Sequence, residues 1–297
     1  MTFWWIVTIP VLVCILTDAS IGKSIPPKPA PIIDGTYAKE YEFPYIVAIR
    51  QDGFTMHGDG VILDEHWILT ARHVAIKYFA DNESYYFNFT RMNQIYVYPK
   101  FDNNISSWYL WPNYRAEKLF CAHIPSDNLV YPTDSDLALI KLADPILLGN
   151  ESPYNLQKAK IYQGDMSIDY RDGYDIRVAA EIPNRSRLQY TREDQLASYL
   201  PYRPCQQIGI YFPNHCPCLG DSGGPAVVTT VGTGEEYLFG ILSWVSLSDP
   251  PCADLVFVQN LGAYTPWIDE VMNNEEEAYK TYNCDLLEGK EYNVPVS

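Results

Sequence analysis

The chain has 297 residues, 47% of them hydrophobic and 14% aromatic, with a formal net charge of −16. A chain of that length and apolar content folds as one large domain or two smaller ones, and it excludes a disordered polymer. The acidic balance argues against nucleic acid or an anionic membrane as partner.

Taken in chain order, Trp4 to Leu16 is an apolar run too short to span a bilayer, followed by Ala19, Ser20 and Gly22. It reads as a signal peptide over 1–22, cleaved after Ala19 or Gly22, although its start carries no Lys or Arg. No later stretch is apolar enough to cross a membrane, so export is the expectation. With Cys14 removed, six cysteines remain: Cys121, Cys205, Cys216, Cys218, Cys252 and Cys284. An even number suits an oxidising compartment. Five Asn-x-Ser/Thr sites agree, at Asn82, Asn88, Asn104, Asn150 and Asn184, the fourth weakened by Pro153. Three of them crowd between Asn82 and Ser106, which marks that stretch as exposed loop.

From Tyr45 onward the pattern predicts short β-strands at 45–49, 61–63, 95–98, 137–140, 176–180, 226–228, 237–242 and 255–258. Two helices are predicted. One covers 191–200 and stops at Pro201; the other covers 265–273, capped by Thr265 with Pro266 in its first turn. The polar, Pro- and Gly-containing stretch 144–155 reads as a linker between two halves. Many short strands with little helix indicate an all-β protein, a barrel or a sandwich.

The chemistry is concentrated in Cys218-Leu219-Gly220-Asp221-Ser222-Gly223-Gly224-Pro225. Glycines on both sides of Ser222 allow a tight turn whose N–H groups converge on one point. A serine hydroxyl needs a base to become a nucleophile. Of His57, His66, His73, His123 and His215, His73 stands out at the end of the apolar run Trp67 to Ala71. Asp136 opens another apolar strand and supplies a carboxylate to orient that imidazole; Asp134, outside the strand, is the weaker candidate.

These three segments, in the order His, Asp, Ser, resemble the chymotrypsin-like (trypsin-family) serine proteases over Ile32 to about Asn273. The resemblance implies two packed antiparallel β-barrels with a C-terminal α-helix and the active site between the barrels. It divides the chain into a signal (1–22), a propeptide (23–31), a peptidase domain (32–273) and an acidic C-terminal tail (274–297). Within the domain, the first barrel would cover about 32–147, the second 148–264 and the helix 265–273. The resemblance makes Ser222 the nucleophile, His73 the general base and then acid, and Asp136 the orienting carboxylate. It assigns the oxyanion hole to the N–H groups of Gly220 and Ser222. Asp221 would pair with a new amino terminus at Ile32, released by cleavage of a zymogen.

The chain also departs from the family pattern. The cystine beside the catalytic His is missing, with Val74 and Gly58 at its two positions. The resemblance pairs Cys218 with Cys252. Cys205 and Cys216 lie near each other and could pair, which would join Cys121 to Cys284; other connectivities stay open. The interval from His73 to Asp136 is long for the family, its excess lying in 79–135, read as a glycan-bearing flap, with a substrate-facing loop as the alternative. The substrate pocket should involve Cys216, Ser243, Trp244, Val245 and Leu255 or Val256. No Asp or Glu lies between Cys205 and Leu219, so the pocket should favour small or medium apolar side chains, with Asp254 as the alternative that would favour Lys or Arg. Pro31 before Ile32 makes a poor site for an ordinary tryptic activating protease. The pairs Pro26-Pro27, Lys28-Pro29 and Ala30-Pro31 suit stepwise removal by an Xaa-Pro dipeptidyl peptidase; a post-proline endopeptidase, or a chain left uncleaved, is the alternative.

The expected function is a secreted serine endopeptidase, monomeric, without cofactor or metal, acting on protein or peptide substrates and open to protein protease inhibitors. A loop calcium is the one ion left open. A catalytically silent homologue that binds a partner is the competing reading, though all three triad residues are present. An esterase using the same machinery is a third.

Overall fold

The computed structural model describes residues 32, 35–39, 41–51, 55–80, 84–88, 95–99, 113–122, 135–164, 175–182, 187–193, 196–197, 207–212, 217–218, 220–230, 232–245, 255–287 and 291–293. The segments read as signal and propeptide lie outside them, as do Asn82, Asn104, Asn184, Asp134, Cys205, Cys216, Cys252 and Asp254.

The first half supplies β1 (Thr36–Tyr37), β2 (Ile46–Gln51), β3 (Thr55–Asp64), β4 (Trp67–Thr70), β5 (Lys77–Ala80), β6 (Ser84–Asn88), β7 (Ile95–Pro99), β8 (Tyr114–Cys121) and β9 (Ala138–Leu142). Six of these close an antiparallel barrel in the order β2-β3-β4-β9-β8-β7. The central strand β4 is buried at every position. Its neighbours complete the barrel, and Trp67 also packs on Phe120 with ring centroids 5.4 Å apart.

The second half supplies β10 (Asp175–Ile182), β11 (Arg187–Glu193), β12 (Leu196–Ala197), β13 (Gln207–Tyr211), β14 (Pro225–Thr229), β15 (Glu236–Val245) and β16 (Leu255–Asn260). They form one curled antiparallel sheet in the order β1-β11-β10-β14-β15-β16-β13-β12. The N-terminal strand β1 thus pairs across the molecule, Thr36 opposite Tyr190. The fold is two antiparallel β units followed by a C-terminal helix.

Three expectations need correction. Of the segment 191–200 expected as helix, the described residues, 191–193 and 196–197, are strand. Thr191 to Glu193 continue β11 against Val178 to Ile176 of β10, and Leu196 pairs with Ile210. A short helix is marginal in water, and pairing with two ready strand edges overrides its weak propensity. The C-terminal helix spans Leu261–Asn273, because Asn260 rather than Thr265 caps it, accepting from the Gly262 N–H at 3.3 Å. Thr265 lies inside, its hydroxyl donating to Leu261 O at 3.0 Å. The stretch 82–106 is not simply loop, since it holds β6 and β7, and β6 pairs with both β5 and β17 (Glu291–Asn293).

The segment beyond Asn273 packs back on the first barrel. A helix, Glu275–Tyr282, sets Glu275 within 2.6 Å of Lys118 and 3.1 Å of Lys141. Tyr279 packs edge-on against Phe120, and Cys284 is joined by a disulfide to Cys121 at the end of β8. Among the described residues, no helix is long and apolar enough to cross a membrane.

A polar cluster ties the two units together. Arg177 of β10 donates to Glu42 Oε1 at 2.9 Å and to Glu236 Oε2, and it lies over the Phe43 ring. Tyr45 donates its hydroxyl to Glu236 Oε1. Burial, then the Glu236 charge, holds the Tyr45 phenol well above its ordinary pKa, so it stays a donor. The side chains of Arg177, Glu42 and Glu236 are only 16%, 19% and 21% exposed. Removing the cation would leave two half-buried carboxylates facing each other. Arg177→Met is therefore expected to destabilise the protein by about 3 kcal/mol. Lys160→Ala, which breaks the exposed Lys160–Glu235 pair, should leave the melting temperature where it was. Thermal unfolding followed by circular dichroism checks both.

Candidate active site

Strand β4 ends at Thr70, and the chain turns at once into a single helical turn, Arg72–Ala75. Its bonds are Val74 N–H to Ala71 O and Ile76 N–H to Arg72 O, at 3.0 and 2.9 Å. His73 projects from that turn. Asp136 approaches just before β9, after Ser135, which holds a left-handed backbone with φ of 57°. Such a conformation is uncommon for a residue with a Cβ and here redirects the chain so that the next side chain points at the turn.

The carboxylate meets the turn twice. Asp136 Oδ1 accepts the His73 backbone N–H at 2.9 Å, and Oδ2 lies 2.7 Å from His73 Nδ1. The Arg72 N–H donates to the Asp136 carbonyl at 3.2 Å. The Asp136 side chain is 1% exposed and that of His73 31%. A third donor comes from the other barrel: Ser243 Oγ is 2.5 Å from Asp136 Oδ2. Sequence reasoning placed Ser243 in the substrate pocket; its side chain is buried and donates to Asp136.

The Ser222 segment is held against the same barrel. Asp59 N–H of β3 donates to Ser222 O at 2.8 Å, and Thr70 Oγ1 donates to Asp59 O at 2.7 Å. Gly223, with φ of 84°, lies so close that a Cβ would be 2.0 Å from Asp59 O. A Cβ on Gly58 would meet Ser222 O at 2.5 Å and Val74 Cγ2 at 2.8 Å. Gly58 of β3 thus lies between the serine loop and Val74, the residue after His73. Gly220 turns the loop with φ of 106°. The N–H groups of Asp221, Gly223 and Gly224 bond within the fold, while among the described residues no acceptor holds those of Gly220 or Ser222.

Asp221 is buried and accepts the Cys218 N–H on Oδ2 at 2.7 Å. Cys218 is disulfide-bonded, and its partner lies outside the described residues. Ile32 is also buried. Trp244 stacks on Phe257, with centroids 3.7 Å apart. Of the two residues considered for the opposite wall, Val256 is fully buried and Leu255 half-buried; Val245 ends β15 opposite Val256. His66 bonds to the Leu142 carbonyl, an ordinary structural contact. Asn150 is exposed in a short 3-10 helix, Gly149–Glu151, and Asn88 ends β6.

Sequence reasoning missed two members of this centre. Gln259 Nε2 donates to Ser243 Oγ at 3.3 Å, and Tyr264 OH donates to Gln259 Oε1 at 3.2 Å. A Gln in the otherwise apolar strand 255–258 continued to Asn260 was the available signal.

The trypsin family model covers residues 32–268. The chain belongs to the trypsin family. It is 26% identical over 275 residues to kallikrein 1-related peptidase b27 of Mus musculus, covering 83% of this chain and 92% of that protein. It is 24% identical over 275 residues to vitamin K-dependent protein C of Oryctolagus cuniculus, covering 83% of this chain and about half, 53%, of that longer protein. The domain is a trypsin-family serine protease domain.

Burial disfavours the His73 imidazolium, but the Asp136 charge and hydrogen bond outweigh it, so the pKa is raised above 6.5; Arg72 opposes them weakly. A base must be neutral, so activity should fall as pH drops through a midpoint above the ordinary histidine value of about 6.5. The raised pKa also means that this group stabilises the fold at low pH and loses that effect as pH rises through it. In Asp136→Asn the burial effect is left without its main opponent, and an NMR titration should find the His73 midpoint lower than in the parent.

Proposed function

We propose that the chain is a secreted serine endopeptidase that cleaves peptide bonds through an acyl-enzyme on Ser222. The observation that carries this reading is the contact of the Ser222 loop with Gly58 and Asp59 of β3, with Val74 close against the same Gly58 and His73 beside it already held by Asp136. His73 takes the Ser222 proton as the hydroxyl attacks the carbonyl carbon, then delivers it to the leaving amine. Asp136 fixes the ring so that Nε2 faces the serine and stabilises the imidazolium. The N–H groups of Gly220 and Ser222 hold the developing oxyanion, each donor contributing about 3–4 kcal/mol. Water then repeats the sequence on the acyl-enzyme.

The half-buried Leu255 and the Val245 position favour a pocket for small or medium apolar side chains. Protein or peptide substrates follow from the family. The 1–22 segment directs export, and maturation proceeds by loss of 23–31 so that the Ile32 ammonium pairs with Asp221. Both residues are buried, which suits such a pairing. The Xaa-Pro pairs before Ile32 suit stepwise removal of dipeptides.

Ser222→Ala, His73→Ala and Asp136→Asn should each lower kcat by about four orders of magnitude while leaving the fold intact. A fluorophosphonate probe should label the parent and not Ser222→Ala; undiminished peptide hydrolysis by that variant would sink the assignment. A peptide library should return apolar residues on the acyl side of the cut, and a profile dominated by Arg and Lys would overturn the pocket reading. N-terminal sequencing of native protein should find Ile32, with intermediates at Lys28 or Ala30; a fully active enzyme still beginning near Lys23 would refute this route.

A further inference from the structure

We propose that Gln259 and Tyr264 are positioning residues for Asp136, joined to it through Ser243 by a buried hydrogen-bond chain that starts on the C-terminal helix. The inference rests on the serine protease reading above and extends its machinery to two residues that touch neither substrate nor reacting atoms.

The chain has a direction fixed by donor and acceptor chemistry. An ionised carboxylate only accepts, so at 2.5 Å the Ser243 hydroxyl must donate its single proton to Asp136 Oδ2. The Ser243 oxygen keeps lone pairs, and Gln259 Nε2 donates to it at 3.3 Å. Gln259 Oε1 in turn accepts from Tyr264 OH at 3.2 Å. Reversing the Gln259 amide would present an oxygen to Ser243 and compete with Asp136 for that one proton. The phenol donor at the far end opposes the reversal.

The backbone is shaped to make this chain. Strands β15 and β16 are in register at Leu242–Val258 and again at Trp244–Phe257, with an irregularity between Leu242 and Trp244. Ser243 is the extra residue, and a bulge of this kind re-aims a side chain. Gln259 follows on β16, and Tyr264 sits in the first turns of helix Leu261–Asn273. Gln259, Ser243 and Tyr264 are 0%, 1% and 4% exposed, so water does not compete for these bonds.

The test compares the mature parent with Gln259→Glu and Tyr264→Phe. In Gln259→Glu a carboxylate replaces the donor amide and draws the Ser243 proton away from Asp136. Its kcat on a peptide amide should fall at least about tenfold with KM within about twofold, and Tyr264→Phe should show the same split at about threefold. In both, the downfield proton resonance of the His73 Nδ1–H···Asp136 bond should move, a signature that loss of packing alone leaves in place. Both variants with kcat within about twofold of the parent and that resonance unmoved would overturn the proposal. If Gln259→Glu does not fold, Tyr264→Phe decides by the same readouts. A parent that neither hydrolyses peptides nor takes a fluorophosphonate would defeat the serine protease reading, while the resonance would still decide the positioning of Asp136.

Discussion

A carboxylate withdrawn from water must be given donors in place of its hydration, and Asp136 imposes that demand on both halves of the molecule. Its oxygens receive the His73 backbone N–H and ring nitrogen from the first barrel, and the Ser243 hydroxyl from the second. Each donor requires something of its own element. The left-handed Ser135 aims the side chain, the single turn after β4 presents His73, and the irregularity in β15 turns Ser243 inward. Loss of any of these leaves an under-satisfied buried charge, so the site and the packing of the two units are one requirement.

Other contacts hold the units at the separation that Asp136 needs. The Arg177 cluster joins the N-terminal segment through Glu42, the first barrel through Tyr45 and the second through Glu236. The apolar core is continuous across the divide, with Val227 and Ile241 packed in the same cluster as Ile68, Leu139 and Trp267. The serine loop adds the closest approach, where Gly58 and Gly223 leave no room for a Cβ. A glycine at 223 is thus demanded by the distance to Asp59 as much as by its backbone angle.

The residues that carry the catalytic order were legible because each sits at the edge of an apolar run, where a lone polar side chain is conspicuous. Ser243 and Gln259 were less so, since a polar residue inside a strand reads as ordinary alternation until the fold brings Asp136 to Ser243 and Tyr264 to Gln259. Strand β8 escaped notice because Arg115, Glu117 and Lys118 mask its alternation. Segment 191–200 misled because its helical composition speaks only for the isolated chain. The helix Glu275–Tyr282 lies in the segment read only as an acidic C-terminal tail. Its contacting residues Glu275, Ala278, Tyr279 and Tyr282 nevertheless repeat at helical spacing and mark one docking face.

That tail bears on the cystine missing beside His73. Where two sulfurs would bridge, Val74 packs against the Cα of Gly58, a contact without covalent strength. The covalent link stands elsewhere: Cys121–Cys284 closes an interval of 163 residues. On the chain-entropy account, a loop that long is worth about 5 kcal/mol against the unfolded state. Its placement matters as much as its size. The next residue, Ala122, donates to Leu137 O at 3.0 Å and accepts from Arg72 Nη1 at 3.4 Å. Leu137 follows Asp136, and Arg72 precedes His73. The disulfide therefore anchors the strand end on which both members of the pair lean, and the C-terminal segment belongs to the scaffold of the active site.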